Sequence, residues 1–173
     1  WGSGQENLFL TRESAAFVLP ELGGRPYLSS AGLRLIAVQH DPLQEAPPTD
    51  GLVQATVGDG LVLLGYGRLS SEDGLHLALY WQADRSIGAD YAVSVRPTQG
   101  GELLFLEGQL AQEDHAHPVW GYYPMTGWAP GEVVRDDYLV DLPSGMEYDG
   151  ATVVVYQVTD GAFEDLATVN FTF

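Results

Sequence analysis

The amino-acid sequence predicts an all-β fold: a two-sheet antiparallel β-sandwich, Ig-like or jelly-roll, preceded by a short mixed α/β lead-in. Three observations predict it. Apolar residues make up 45% of the 173-residue chain and charged ones only 18%, the balance of a folded domain. Twenty-one glycines and ten prolines fall singly and in pairs between apolar runs, the punctuation of a chain that turns often. Between those turns, apolar and polar residues alternate with a period of two, which gives each strand one buried and one wet face.

Residues 1–45 read as a strand, a short helix and a second strand. Asn7-Leu8-Phe9-Leu10-Thr11 has strand composition, Glu13 to Leu22 holds one or two helical turns, and Leu33 to Gln39 alternates polar and aliphatic residues. This segment is either the tail of an upstream α/β region or a lead-in that adds strands to the sheet. The proline-stiffened turn Glu45-Ala46-Pro47-Pro48-Thr49-Asp50-Gly51 marks the boundary, so residues 46–173 form the sandwich domain. Strands are expected at 52–57, 61–69, 75–83, 90–97, 102–112, 132–142, 151–159 and 165–173. Asp59-Gly60, Asp73-Gly74, Gly100-Gly101, Asp149-Gly150 and Asp160-Gly161 separate several of them, and such pairs suit tight hairpin turns. Leu75, Leu77, Leu79 and Trp81 share one face, opposite His76, Ala78 and Tyr80. Val134, Tyr138, Val140 and Leu142 share another, opposite Arg135, Asp137 and Asp141.

Charge narrows the function. Twenty-four acidic residues against seven arginines and no lysine give a formal −17. A field of that sign repels phosphate backbones and anionic membrane surfaces, so nucleic acid is excluded as a partner. Absent lysine excludes Schiff-base chemistry and a P-loop. Absent cysteine excludes disulfides, thiolate nucleophiles and cysteine-ligated metals. No run of about 18 apolar residues exists to span a membrane as a helix. The first seven residues lack a basic and an apolar region of signal-peptide type. Since the chain begins at Trp1, it is expected to be a processed or excised piece of something longer.

Several strings are familiar. Leu63-Leu64-Gly65-Tyr66, Leu75 to Ala83 with its Leu-Tyr-Trp-Gln-Ala end, Asp90 to Val95, and Tyr123 to Tyr138 with its Trp-Ala-Pro-Gly-Glu turn resemble a β-sandwich module. That module belongs to bacterial multi-spanning membrane glycosyltransferases related to dolichyl-phosphate-mannose protein mannosyltransferases. The likeness spans roughly residues 45–159 and rests on framework residues. It departs at Arg96, where the module usually has a histidine, and at Asp149 to Val155, which replaces a Gly-x-Tyr entry. The resemblance implies an extracytoplasmic or cell-surface accessory domain, with glycosyl transfer carried out elsewhere.

The candidate sites each have a plainer counterpart. On a strand, His115 and His117 of Asp114-His115-Ala116-His117 point the same way and can chelate a metal; the plainer reading is a polar loop before Pro118. Trp120, Tyr122, Tyr123 and Trp128 either form platforms for sugar C–H faces or fill the end of the core, with Trp128 the better core residue. Glu113 and Asp114, beside Gln112, would accept hydrogen bonds from sugar hydroxyls. The late acids, among them Asp136, Asp137, Asp141, Glu147, Asp149, Asp160, Glu164 and Asp165, are read as a solvated surface rather than a calcium site. Asp136 and Asp137 are neighbours on a strand and face opposite ways, which rejects a glycosidase pair.

The expectation is therefore a non-catalytic binding domain without cofactor or metal. Its ligand-binding residues would be Trp120, Tyr122, Glu113 and Asp114, and its partner a glycan or glycolipid. The alternative is a structural or protein-interaction subunit of a surface layer, filament or membrane complex. A metal-dependent enzyme built on His115 and His117 is the remaining reading, and the one the sequence supports least.

Overall fold

The computed structural model describes residues 6–12, 25–30, 33–39, 50–58, 60–69, 74–121, 123–159 and 161–173, with the backbone alone for the first three segments and for Trp120. The chain divides into two compact units, Trp1–Ala46 and Pro47–Phe173. In the first, β1 (Glu6–Arg12), β2 (Arg25–Ser30) and β3 (Leu33–Gln39) form an antiparallel sheet in the order β1-β3-β2. The helical turns expected between Glu13 and Leu22 lie outside the described residues.

The second unit runs β4 (Gly51–Val57), β5 (Leu61–Leu69), β6 (Gly74–Ala83), β7 (Ala92–Gln99), β8 (Glu102–Leu103), β9 (Phe105–Leu106), β10 (Gln109–Leu110) and β11 (Glu113–His115). A one-turn helix α1 (Pro118–Gly121) and a 3-10 turn (Met125–Gly127) follow, then β12 (Val133–Asp141), β13 (Gly150–Thr159) and β14 (Ala162–Thr172). The protein is all-β and antiparallel, as its alternation predicts, and none of the described helices is long and apolar enough to cross a membrane. One sheet, β12-β6-β5-β4, curls as a half-barrel. Another runs β11-β7-β13-β14, with β8 extending β7, and β9 and β10 form a small hairpin of their own.

One apolar cluster draws on both large sheets: Leu61, Leu63, Leu77, Leu79 and Trp81 from the first, Val93, Val95, Val153 and Val155 from the second. All nine are fully buried. Each such side chain contributes about 1.5–3 kcal/mol on leaving water, which is why the Leu75 to Trp81 alternation fixes the register of β6.

Three expectations need correction. Residues 102–112 do not form one strand. Leu106 pairs with Gln109, so Glu107 and Gly108 make a two-residue turn with φ of +52° and +84°. Positive φ at both central positions suits a tight hairpin, and Glu-Gly is a less familiar signature for it than Asn-Gly. Second, β6 has no wet face, since His76, Ala78 and Tyr80 are buried with the residues opposite them. The strand is central in its sheet, and Leu139, Asp137 and Arg135 on one side and Leu69, Gly67 and Gly65 on the other flank those three positions. Third, Asp136 and Asp137 are not surface acids: their exposures are 0% and 1%. Polar partners meet Oδ1 of each, while both Oδ2 atoms are buried without a hydrogen bond.

Candidate binding face

The two adjacent aspartates of β12 do face opposite ways, and each meets a histidine. Asp136 shares the core-facing side with Val134, Tyr138 and Val140. There its Oδ1 lies 3.2 Å from His115 Nδ1 of β11 and accepts the backbone N–H of Val119 at 2.8 Å. The His115 ring stacks on Tyr138, with centroids 4.1 Å apart, and its Nε2 is 3.6 Å from Glu113. Burial alone would depress the imidazole, but hydrogen bonds and charge from Asp136 and Glu113 outweigh it and raise the pKa to about 9. Val119 sits at φ +56°, a costly conformation for a β-branched residue. Its bond to Asp136 helps hold it there and pins α1 against β12. On the other side of the strand, Asp137 accepts Arg135 Nη2 at 2.6 Å and lies 3.2 Å from His76 Nε2.

His115 is thus a core residue on a short strand rather than part of a polar loop. Among the described residues no group of three histidine, cysteine or acidic side chains is placed to hold a metal.

The Trp-Ala-Pro-Gly-Glu turn is closed by its last residue. Glu132 accepts the Tyr123 hydroxyl at 2.8 Å and the Ala129 N–H at 2.7 Å. Burial, with the Glu132 bond and charge added, pushes the Tyr123 phenol well above its ordinary range. Trp128 is buried beside it, ring centroids 6.0 Å apart, and so is a core residue. Asp90 ties the 3-10 turn down by accepting the Thr126 N–H and hydroxyl at 2.9 and 3.2 Å.

Of the four expected ligand-binding residues, the fold separates two. Glu113 turns toward His115 and is half-buried, whereas Asp114 points out on the opposite face of β11. The side chain of Trp120 and all of Tyr122 lie outside the described residues, so Asp114 alone belongs to a describable face. There it accepts Gln112 Nε2 at 2.6 Å and the Tyr156 hydroxyl at 3.4 Å. Pairing of Asp114 with Ser94 and of Tyr156 with Ala92 sets the acid and the phenol diagonally across β7. Burial, followed by the charge and hydrogen bond of Asp114, raises the Tyr156 phenol, against the opposing pull of Arg96. Phe163 lies 5.8 Å from the Tyr156 ring, centroid to centroid, and is 74% exposed. An open aromatic ring beside a carboxylate, an amide and a phenol can take the C–H face and the hydroxyls of a sugar at once.

Sequence reasoning missed Tyr156 and Phe163 because they lie more than forty residues from Asp114. The available signal was the alternation of β13, which puts Tyr156 and Val158 opposite Val153 and Val155. Compared with known protein-family models, with curated proteins and with solved structures, the chain matches none.

Proposed function

We propose that the chain is a non-catalytic binding domain whose two larger sheets pack as a β-sandwich and whose outer face contacts glycans. The observation that carries this reading is Asp114, an exposed carboxylate held by Gln112 and by Tyr156, whose ring lies against the open ring of Phe163. In that role Phe163 and Tyr156 stack on the sugar, and Asp114 and Gln112 take its hydroxyls. The shared apolar cluster and the His115–Asp136 contact between the sheets support the sandwich. An extracytoplasmic setting beside a membrane glycosyltransferase rests on the sequence resemblance, whose Trp-Ala-Pro-Gly-Glu turn has a structural part in the closure by Glu132.

A glycan-array screen of the chain beside its Tyr156→Ala/Phe163→Ala variant tests the reading. Binding by the parent that the variant loses supports it. A folded parent that binds no glycan at any concentration counts against it. Affinity in the range of about 1 mM to 10 μM is expected, because a shallow site buries few atoms.

One observation favours the alternative, a protein-interaction subunit. Beyond Tyr156, β13 no longer pairs with β7, and it continues with β14 as a two-stranded arm bearing Val158, 54% exposed, and Phe163. Two-stranded ribbons are marginal alone, and exposed edges invite pairing. Concentration-dependent self-association in sedimentation, lost in Phe163→Arg, would favour this reading over the first.

A further inference from the structure

A second recognition surface lies on the same unit, at the ends of β5 and β14. Tyr66 of β5 stacks on Phe171, centroids 4.4 Å apart, and tilts against Phe173 at 5.7 Å. Two residues on, Arg68 holds its guanidinium carbon 4.4 Å from the Phe173 ring centroid and 5.8 Å from that of Tyr148. The Tyr148 and Tyr66 hydroxyls donate to the Gly74 and Thr172 carbonyls, each at 3.3 Å, which fixes both rings. Asp50 accepts the backbone N–H of Arg68 at 2.5 Å. Asp50, Tyr66, Arg68, Tyr148 and Phe173 line an open depression of about 640 Å³, within the range of small-molecule sites, about 300–1,000 Å³.

The surroundings of Arg68 contrast with those of Arg135. Acids outnumber arginines 24 to seven, and Arg135 is ion-paired with Asp137. Yet the Arg68 guanidinium meets aromatic rings and, among the described residues, no carboxylate. A guanidinium placed over a ring can still donate two parallel bonds from its N–H edge, the geometry that suits a carboxylate. Rings also hold the side chain in place, so less entropy is lost when a ligand binds. Asp50 brings a negative charge into the same depression. With the overall −17, that charge disfavours a phosphate dianion and offers an acceptor for a neutral hydroxyl.

We propose that this depression binds a carboxylate-bearing sugar of the hexuronic acid class. Arg68 takes the carboxylate in a bidentate pair, Asp50 accepts a ring hydroxyl, and Tyr148 and Phe173 border the C–H face. The preference for a sugar acid over another carboxylate rests on the glycan reading above; the anion site itself does not.

The test is a titration of the full chain, labelled with ¹⁵N, with glucuronate and galacturonate beside glucose, glucose 6-phosphate and acetate, followed at the arginine Nε–Hε signals. Both hexuronates should shift the Arg68 signal and saturate it in the millimolar range, and the neutral hexose should not. Arg68→Gln should abolish binding. Arg68→Lys, which keeps the charge but not the fork, should weaken it about tenfold, a second check if the first variant folds poorly. Equal hexuronate binding by either variant, or no shift at concentrations on the order of 10 mM, would overturn the site. So would tighter binding of glucose 6-phosphate. Acetate binding as tightly as the hexuronates would overturn the sugar-acid assignment. The outer face is read separately at the Tyr156 and Phe163 ring signals, so either site can fail without the other.

Discussion

His115 and Asp136 meet at 3.2 Å in the interior, the first on an edge strand of one sheet and the second on an edge strand of the other. The pair joins the sheets by a charge-assisted bond beside the ring of Tyr138, with Glu113 3.6 Å from the other imidazole nitrogen. Taking two ions from water costs several kcal/mol, which the mutual attraction and the Val119 N–H offset. Removing one partner leaves the other buried with less compensation: Asp136 keeps the Val119 N–H, and His115 keeps Glu113.

Stability should therefore depend on pH above neutrality. The folded-state pKa of His115, about 9, lies above its ordinary 6.5. The bonus is fully present below about 6.5 and is lost as pH rises through about 9. Carboxylates are already ionised in that window and add little slope. Urea unfolding of the parent should lose on the order of 3 kcal/mol across it, and Asp136→Asn should be less stable at pH 6 and decline less, since Glu113 alone still raises the imidazole. A parent profile without decline, or the same decline in Asp136→Asn, would refute this account.

Glu132 offers an independent case. Its carboxylate satisfies the Ala129 N–H and the Tyr123 hydroxyl together. Glu132→Ala strands both donors in a partly buried corner and should cost about 2 kcal/mol. Because Trp128 packs there at 3% exposure, its fluorescence should shift to the red in the variant before global unfolding begins. An unchanged spectrum would mean that the turn holds without its acid.

How far the sequence carries the fold follows from which side chains speak through period. Leu75, Leu77, Leu79 and Trp81, and then Tyr138, Val140 and Leu142, recur at every second position, so their strands and core faces are legible. Parity with Val134 and Tyr138 implies the core side of β12 for Asp136, but acidity argues for solvent, and nothing local to β12 reveals that His115 waits opposite. Charge pairs between sheets are long-range facts. The binding face has the same limit: Asp114 is visible as an unpaired acid in a polar string, whereas its partner Tyr156 reads as one more strand aromatic until pairing brings the two together. The Glu107-Gly108 turn was hidden for a local reason, since its first residue is seldom found at positive φ.

Gly51 is a residue whose importance only the pairing reveals. It sits opposite Tyr66 across the β4–β5 ladder, and a Cβ there would lie 2.5 Å from Tyr66 Cε1 and 2.7 Å from Cζ. The ring thus covers the glycine, as aromatics do across from a bare backbone. Gly51→Ala must push the ring off its stack with Phe171. The expected cost is about 1–3 kcal/mol in urea unfolding, with altered Tyr66 and Phe171 ring signals. A variant as stable as the parent, with those signals unmoved, would show that the two strands separate without penalty.

The last prediction separates binding from stability on the outer face. At 74% exposure Phe163 shields little of the core, so Phe163→Ala should change unfolding free energy by less than about 0.5 kcal/mol. A stacking ring, however, contributes about 0.5–1.5 kcal/mol at such a contact, which predicts a loss of glycan affinity of about two- to thirteenfold. Asp114→Asn should weaken binding similarly while it keeps the Gln112 and Tyr156 contacts in reach. The readout is a pair of numbers for each variant, urea midpoint and glycan Kd. Affinity that falls while the midpoint stays marks a binding face. Midpoints that fall with it would instead make Phe163 and Asp114 part of the packing of β13 and β14, and the glycan reading would lose the observation that carries it.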